Sequence, residues 1–268
     1  MRFPEDIQGL CQALREGLRA ALGDKLYGIY VYGAAAFAES EFTGDIDFHV
    51  ILTEALTDAE RRAINELHDA LARDFPPLGA ELDGYYILLE EAQHTSPPVH
   101  QLQPDITDES WALHREHMRA GRCLILHGPE PKQVYPPVTW AELESALWGE
   151  LRYVQAHLDK YPDYCILNLC RLMYSFQTRD VVVSKAAAAE WAGSAFPQWR
   201  KHIEAAKRSY AGQATAEDRQ WMNSEARRFF RFACERIGRV MTEEGHQTRQ
   251  MASAHTTPMA NPTATSSR

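Results

Sequence analysis

A small α/β (α+β) domain followed by an all-α helical bundle is the architecture that this 268-residue sequence predicts. Three observations predict it. Up to about residue 90, short runs of strand composition alternate with segments of helical periodicity. Beyond residue 138 almost everything repeats with the 3.6-residue period of a helix. Between the two, Gly128 to Pro137 holds four prolines and a glycine in ten residues, a stiff and extended composition. The expected domains are therefore 1–130 and 138–242, with a polar, proline-spotted tail over 243–268 that should be disordered.

The front half is justified element by element. Ile7, Leu10, Leu14, Leu18 and Leu22 form one apolar stripe, so a helix runs from about Pro4 to Leu22 and ends at Gly23-Asp24. Leu26 to Tyr32 is a first strand and Asp45 to Leu52 a second. Thr57 or Asp58 caps a helix whose apolar face is Ala63, Ile64, Leu67 and Leu71. Phe75 to Gly79, with Pro76-Pro77, is a hard stop, and Ala80 to Leu89 is a third strand. This order makes a small domain with its sheet covered on one side. Glu90 to Pro104 reads as a loop in which His94 and His100 are scattered surface histidines without a third zinc ligand. Asp108 or Ser110 starts a helix to Arg119, and Cys123 to His127 is an edge strand or buried connector.

The rear half begins with Thr139 and Glu142, a capping-box pair that opens a helix toward Leu158. Tyr161-Pro162-Asp163 breaks it. A second helix, Tyr164 to Gln177, carries Ile166, Leu169, Cys170, Met173 and Tyr174 on one side. Ser184 caps a third that ends at Gly193, Pro197 or Gln198 starts a fourth reaching Tyr210, and a long amphipathic fifth runs from about Thr215 to Met241.

Composition narrows the function classes. Lys and Arg number 28 against 37 Asp and Glu, a formal net charge of -9, which disfavours a polynucleotide partner and suits a cationic one. Five cysteines without C-x-x-C spacing read as reduced thiols of a cytoplasmic protein. No stretch is long and apolar enough to span a membrane, and the N-terminus is not a signal peptide. The expectation is a cytoplasmic monomer without membrane or nucleic-acid contacts.

Chemistry concentrates in Gly28 to Leu52. Residues two apart in a strand share a face, so Asp45 and Asp47 stand side by side while Ile46 and Phe48 enter a core. Paired carboxylates repel unless a cation sits between them, and a hard dication such as Mg2+ prefers oxygen ligands. Alone, Asp-x-Asp also describes two ordinary surface acids. Gly33, at the end of the preceding strand, permits close backbone approach to a ligand. In the third strand Glu81 and Asp83 share a face, and either can supply the third carboxylate that completes a metal shell or takes a proton from an attacking hydroxyl.

A glycine turn followed one strand later by Asp-x-Asp resembles the nucleotidyltransferase fold of the DNA polymerase beta superfamily. Tyr164 to Ala192, with Arg171, Tyr174, Thr178, Lys185 and Trp191-Ala192, resembles the C-terminal domain of the aminoglycoside 3''- and 9-adenylyltransferases. The likeness covers about residues 25 to 240. It implies a polymerase-beta-like domain with a small mixed sheet, a helical adenylyltransferase domain, and an ATP site in the cleft between them. Gly33, Ala34, Arg171, Tyr174 and Lys185 would contact the nucleotide. Asp45, Asp47 and Asp83 would hold Mg2+, with Asp83 or Glu81 as the base. Three positions depart from the pattern: Ala34 replaces the serine of a Gly-Ser pair, Asp83 replaces a glutamate, and Asp163 only approximates the acid that binds the drug's amines.

Independent chemistry points the same way for the cations. Arg171 interrupts an otherwise apolar helix face, either snorkelling or gripping phosphates as a planar fork. Lys185 follows the cap Ser184, where the helix dipole disfavours a cation unless an anion joins it. Between Glu81 and Glu116 lie eight acids and one cation, Arg115, which would steer a polycationic acceptor, with Trp111 stacking on a sugar or packing in the core. The leading expectation is Mg-dependent transfer of AMP from ATP to a hydroxyl of a small molecule, an aminoglycoside being the expected acceptor, with release of pyrophosphate and an antibiotic-resistance role. The alternatives are transfer to a non-antibiotic metabolite or a protein, and a catalytically weak nucleotide-binding regulator.

Overall fold

The computed structural model describes residues 5–37 and 45–254. In chain order the elements are α1 (Glu5–Leu22), β1 (Leu26–Val31), β2 (Ile46–Leu52), α2 (Asp58–Asp74), β3 (Leu82–Leu88), α3 (Leu89–Ala92), α4 (Trp111–Arg119), β4 (Leu124–His127) and α5 (Pro131–Val134). The helices α6 (Trp140–His157), α7 (Pro162–Thr178), α8 (Lys185–Ala195), α9 (Arg200–Tyr210) and α10 (Ala216–Ala254) follow. No described helix is long and apolar enough to cross a membrane.

The strands form one mixed sheet in the order β3-β2-β1-β4. β1 pairs antiparallel with both β2 and β4, while β2 and β3 run parallel and are joined through α2. Alternation along β2 sends Ile46, Phe48, Val50 and Leu52 to one face, where they meet the Leu10, Leu14 and Leu18 stripe of α1 and Ile64 of α2. Thr57 and Glu60 close a capping box on α2.

The sheet is not covered on one side only. Tyr30, Tyr32, Ile51 and Ile87 point to the other face, where Trp111 and Met118 of α4 and Val134 and Tyr135 beside α5 bury them. The proline-rich segment supplies part of this cover. Its prolines fix φ and stop regular structure without keeping the chain away from a core, and Pro131, Val134 and Tyr135 are buried. A 3-10 turn over Leu78–Glu81 also takes up the expected start of the third strand, so Glu81 precedes β3.

In the rear domain α7 is central, packed against α6, α8, α9 and α10. Cys165, Ile166, Leu169, Cys170 and Phe176 are at most 1% exposed. The last helix continues as backbone helix to Ala254, past the expected end near Met241; the first proline there is Pro258. The expected disordered tail thus falls partly on α10, and 255–268 lie outside the described residues.

Helix α4 belongs to the front half in sequence but joins both domains. Its Ala112 and Leu113 enter the bundle core. Arg115, with a fully buried side chain, donates to the Glu142 carboxylate of α6 at 2.5 Å and to Pro137 O at 3.3 Å. His117 donates from Nε2 to Val181 O at 2.8 Å, beyond the end of α7.

Candidate active site

A cleft of about 450 Å³ lies between the domains. Its front wall is the turn after β1, the first residues of β2, and His114 of α4. Its rear wall comes from α6, α7, α8 and α9.

Gly33 has φ +67, and a Cβ there would overlap Asp47 Oδ2. Only glycine both adopts this conformation without strain and leaves room for that carboxylate. The Tyr32 N–H donates to Asp47 O at 2.9 Å, which fixes the turn against β2. Ala34 lines the cleft and offers it a methyl group.

Asp45 and Asp47 line the cleft, and their neighbours Ile46 and Phe48 are fully buried on the opposite face. In the parallel pairing of β2 and β3, Asp47 stands directly beside Asp83. The register therefore selects Asp83 as the third carboxylate near the pair, and Glu81 is left in the turn before the strand. Burial pushes the Asp47 carboxyl up to about 6; His114 opposes this, Asp83 and Asp45 add to it, and Lys185 opposes it. A buried carboxyl that holds a proton this tightly is short of positive charge. The carboxylate oxygens of Asp45 and Asp47 are of the type that Mg2+ prefers.

Positive charge stands on the other wall. Arg171 projects from α7 into the cleft, and its guanidinium has no hydrogen bond or ion pair among the described residues. Lys185 is the first residue of α8, after the N-cap Ser184, whose side chain accepts from Ala187 N. Lys185 Nζ donates to Tyr210 OH at 2.9 Å and sits 4.4 Å from the Tyr164 ring centroid and 4.7 Å from that of Tyr210. Burial and the nearby Arg171 bring the Lys185 ammonium down to about 8, while Asp47, Asp45 and Glu150 resist this. Two cations facing Asp45 and Asp47 across the cleft are suited to hold a polyanion.

Other expected site residues are elsewhere. Trp111 is 1% exposed, stacks on His49 with ring centroids 5.6 Å apart and donates to His94 O at 3.2 Å, so it is core and not a sugar platform. Tyr174 packs edge-on against Trp191 at 5.4 Å instead of lining the cleft. Thr178 donates to Tyr174 O at 2.9 Å and ends α7. Asp163 accepts from Tyr164 N at 2.8 Å and from Ser209 Oγ at 2.7 Å, tying α7 to α9. His100 is no surface histidine: it is 4% exposed, bonded to Gly84 O at 3.0 Å, and accepts from Leu102 N at 3.0 Å.

The cleft also contains residues that sequence reasoning passed over. His114 faces it, with Nδ1 2.8 Å from Asp108 Oδ2. Burial pulls the His114 imidazole down, but Asp108, Asp47 and Glu150 more than reverse this, and the net shift is upward. Glu150 accepts from Ser110 Oγ at 2.6 Å and from Asn168 Nδ2 at 3.0 Å. Its signal was an acid within the apolar face Leu143, Ala146, Leu147, Leu151 and Val154 of α6. His114 carried none, since Asp108 is six residues away across a helix start.

Comparisons with known proteins place the fold among its relatives. Residues 133–236 match the family described as aminoglycoside adenylyltransferase, C-terminal domain. The chain is similar to spectinomycin 9-adenylyltransferase of Enterococcus faecalis, 22% identical over 233 residues, covering 77% of this chain and 86% of that one. It also resembles the crystal structure of spectinomycin adenyltransferase from that organism with ATP and spectinomycin, at a TM-score of 0.66 and 18% identity, covering 86% of this chain and 99% of that one. The structural likeness extends over both domains.

Proposed function

We infer that this protein is a nucleotidyltransferase that moves AMP from ATP to a hydroxyl of a small cationic molecule of the aminoglycoside type, releasing pyrophosphate. The observation that carries the reading is that Asp45 and Asp47, at the start of β2, line one cleft with Arg171 and Lys185 of the bundle, with Asp83 beside Asp47 in the sheet. The match of 133–236 to the adenylyltransferase C-terminal domain and the similarity to a spectinomycin 9-adenylyltransferase support it.

Each residue has a physical task. Arg171 and Lys185 bind the β- and γ-phosphates and hold them against the bundle, so the α-phosphorus faces the sheet. The Gly33 turn lets the triphosphate approach the backbone. Asp45 and Asp47 would hold Mg2+, which supplies the positive charge that offsets the phosphate oxygens. Asp83, more exposed than its neighbour Asp47, takes the proton of the acceptor hydroxyl. The hydroxyl oxygen forms a bond to the α-phosphorus, the bond to the α,β-bridging oxygen breaks, and the electron pair leaves with pyrophosphate. Glu150, on the cleft wall, and the net charge of -9 favour a cationic acceptor.

A pyrophosphate-release assay with ATP and Mg2+ over aminoglycosides, spectinomycin, other hydroxylated metabolites and proteins tests the reading. Release should require an aminated cyclitol or sugar and fall at least about 100-fold in Asp83→Asn. Turnover confined to another acceptor would keep the transferase and remove the antibiotic. That second reading, a non-antibiotic metabolite, is favoured by the burial of Trp111 and the α9 tether of Asp163.

A further inference from the structure

Beneath the front wall of the cleft, three side chains converge whose chemistry the transfer reaction does not use. His49 of β2, Asp108 before α4 and His114 of α4 each offer a ligand atom, and these atoms all lie within 4.8 Å of one another. We propose that His49, Asp108 and His114 form a binding site for a transition-metal dication of the zinc type, separate from the carboxylate cluster at Asp45, Asp47 and Asp83.

Four observations carry the proposal. First, His49 is fully buried, and its Nε2 has no hydrogen-bond partner among the described residues. Leaving a buried ring nitrogen unpaired costs about 1–3 kcal/mol, and such a group in a folded protein calls for a partner. Second, the supporting contacts are those of a ligand shell. His49 Nδ1 is bonded to Tyr135 OH at 3.2 Å, which leaves Nε2 for an ion, and Asp108 Oδ1 accepts from Ser110 N at 2.9 Å. Trp111 stacks on the His49 ring and Tyr32 packs edge-on against it at 4.7 Å, so the ring is held in place.

Third, the donor set selects the ion. Two imidazoles and one carboxylate suit zinc and its neighbours, whereas Mg2+ prefers the all-oxygen cluster on the strands. Fourth, the surroundings are negative and open on one side. The carboxylates of Asp108, Asp47 and Glu150 all act on His114, whose side chain is 30% exposed toward the cleft. An ion can enter past His114 and keep an open position facing the cleft. Zinc ligands about 2.0–2.2 Å from the metal stand roughly 3.4 Å apart, so ligand atoms up to 4.8 Å apart draw in by at most about 1.4 Å while the 2.8 Å contact between Asp108 Oδ2 and His114 Nδ1 opens. His114, the most exposed of the three, gives up its bond to Asp108 Oδ2 in that move.

The test uses the full-length protein after chelation and dialysis. Zn2+ binding is measured by equilibrium dialysis, and Co2+ is titrated as a spectroscopic stand-in. The expected result is one Zn2+ per chain, with visible Co2+ bands of four- or five-coordinate nitrogen and oxygen ligation. Affinity should fall at least about 10-fold in both Asp108→Asn and His114→Gln, while Asp47→Asn binds Zn2+ within about threefold of the wild type. Both deciding variants lie outside the sheet, in α4 and just before it, so a folding failure of a His49 variant does not obscure the outcome. Absence of stoichiometric Zn2+ binding at micromolar concentration overturns the proposal. So does binding that both variants leave intact, which would locate the ion elsewhere, or binding abolished by Asp47→Asn, which would move it to the strand carboxylates.

Discussion

At Gly33 the difference between one hydrogen and a methyl group decides whether Asp47 can face the cleft. Gly33→Ala would force φ +67 on a residue with a Cβ and drive that Cβ into Asp47 Oδ2. The strain should cost about 1–3 kcal/mol and the displaced carboxylate at least about 100-fold in AMP transfer, checked by denaturant unfolding alongside steady-state kinetics. Lys185 sets a second residue-scale expectation. Its ammonium is brought down to about 8, so it is charged below that pH and is lost as pH rises through it. The kcat/KM for ATP should therefore decline above about pH 8, and Lys185→Arg should shift that limb beyond the measurable range because a guanidinium stays protonated. Superimposable profiles for the two proteins would remove Lys185 from phosphate binding.

Legibility differs sharply between these residues. Asp45 and Asp47 were readable because the two-residue period of a strand is local, and their buried neighbours Ile46 and Phe48 follow it. Glu81 and Asp83 were not separable, because only the register of β3 against β2 puts Asp83 beside Asp47. Arg171 and Lys185 stood out as cations where apolar packing and helix polarity disfavour them. Trp111 misled because a tryptophan gives the same signal whether it stacks on a ligand or, as here, on His49.

At the scale of elements, α4 joins the halves. His117 is held to about 3, chiefly by burial and then by Arg171 and His114, and in neutral form it donates to Val181 O. Its ordinary value is about 6.5, so below that pH the unfolded chain takes up a proton that the folded chain refuses. The corresponding stability is complete above about pH 6.5 and is lost as pH falls toward 3, at up to about 1.4 kcal/mol per pH unit. Unfolding free energies measured at pH 5 and 7 should show a shallower pH dependence in His117→Gln, by close to one proton; an unchanged slope would contradict the burial argument. The helices themselves were legible from local signals, notably the capping boxes Thr57–Glu60 and Thr139–Glu142. The second task of Glu142, pairing with buried Arg115, was not, because the partners are far apart in sequence. Nor was the folding of the proline-rich segment onto the second sheet face, which depends on the tertiary neighbours of Tyr135.

At the scale of the whole molecule, the proposed site draws on both domains. The carboxylates lie on the sheet and the cations on the bundle, and α4 fixes the gap between them through Arg115 and His117. The two-domain order was readable from the change in periodicity near residue 138, while the shape of the cleft was not, since it depends on long-range contacts. The central claim is that the chain catalyses AMP transfer with groups from both walls. It is tested most directly by incubating the protein with ATP labelled at the α-phosphorus, Mg2+ and spectinomycin, and then isolating the acceptor. The account predicts one labelled AMP per acceptor with the wild type, and losses of at least about 100-fold in both Asp47→Asn and Lys185→Met. An unlabelled acceptor together with labelled ADP, or labelling that survives either substitution, would contradict it.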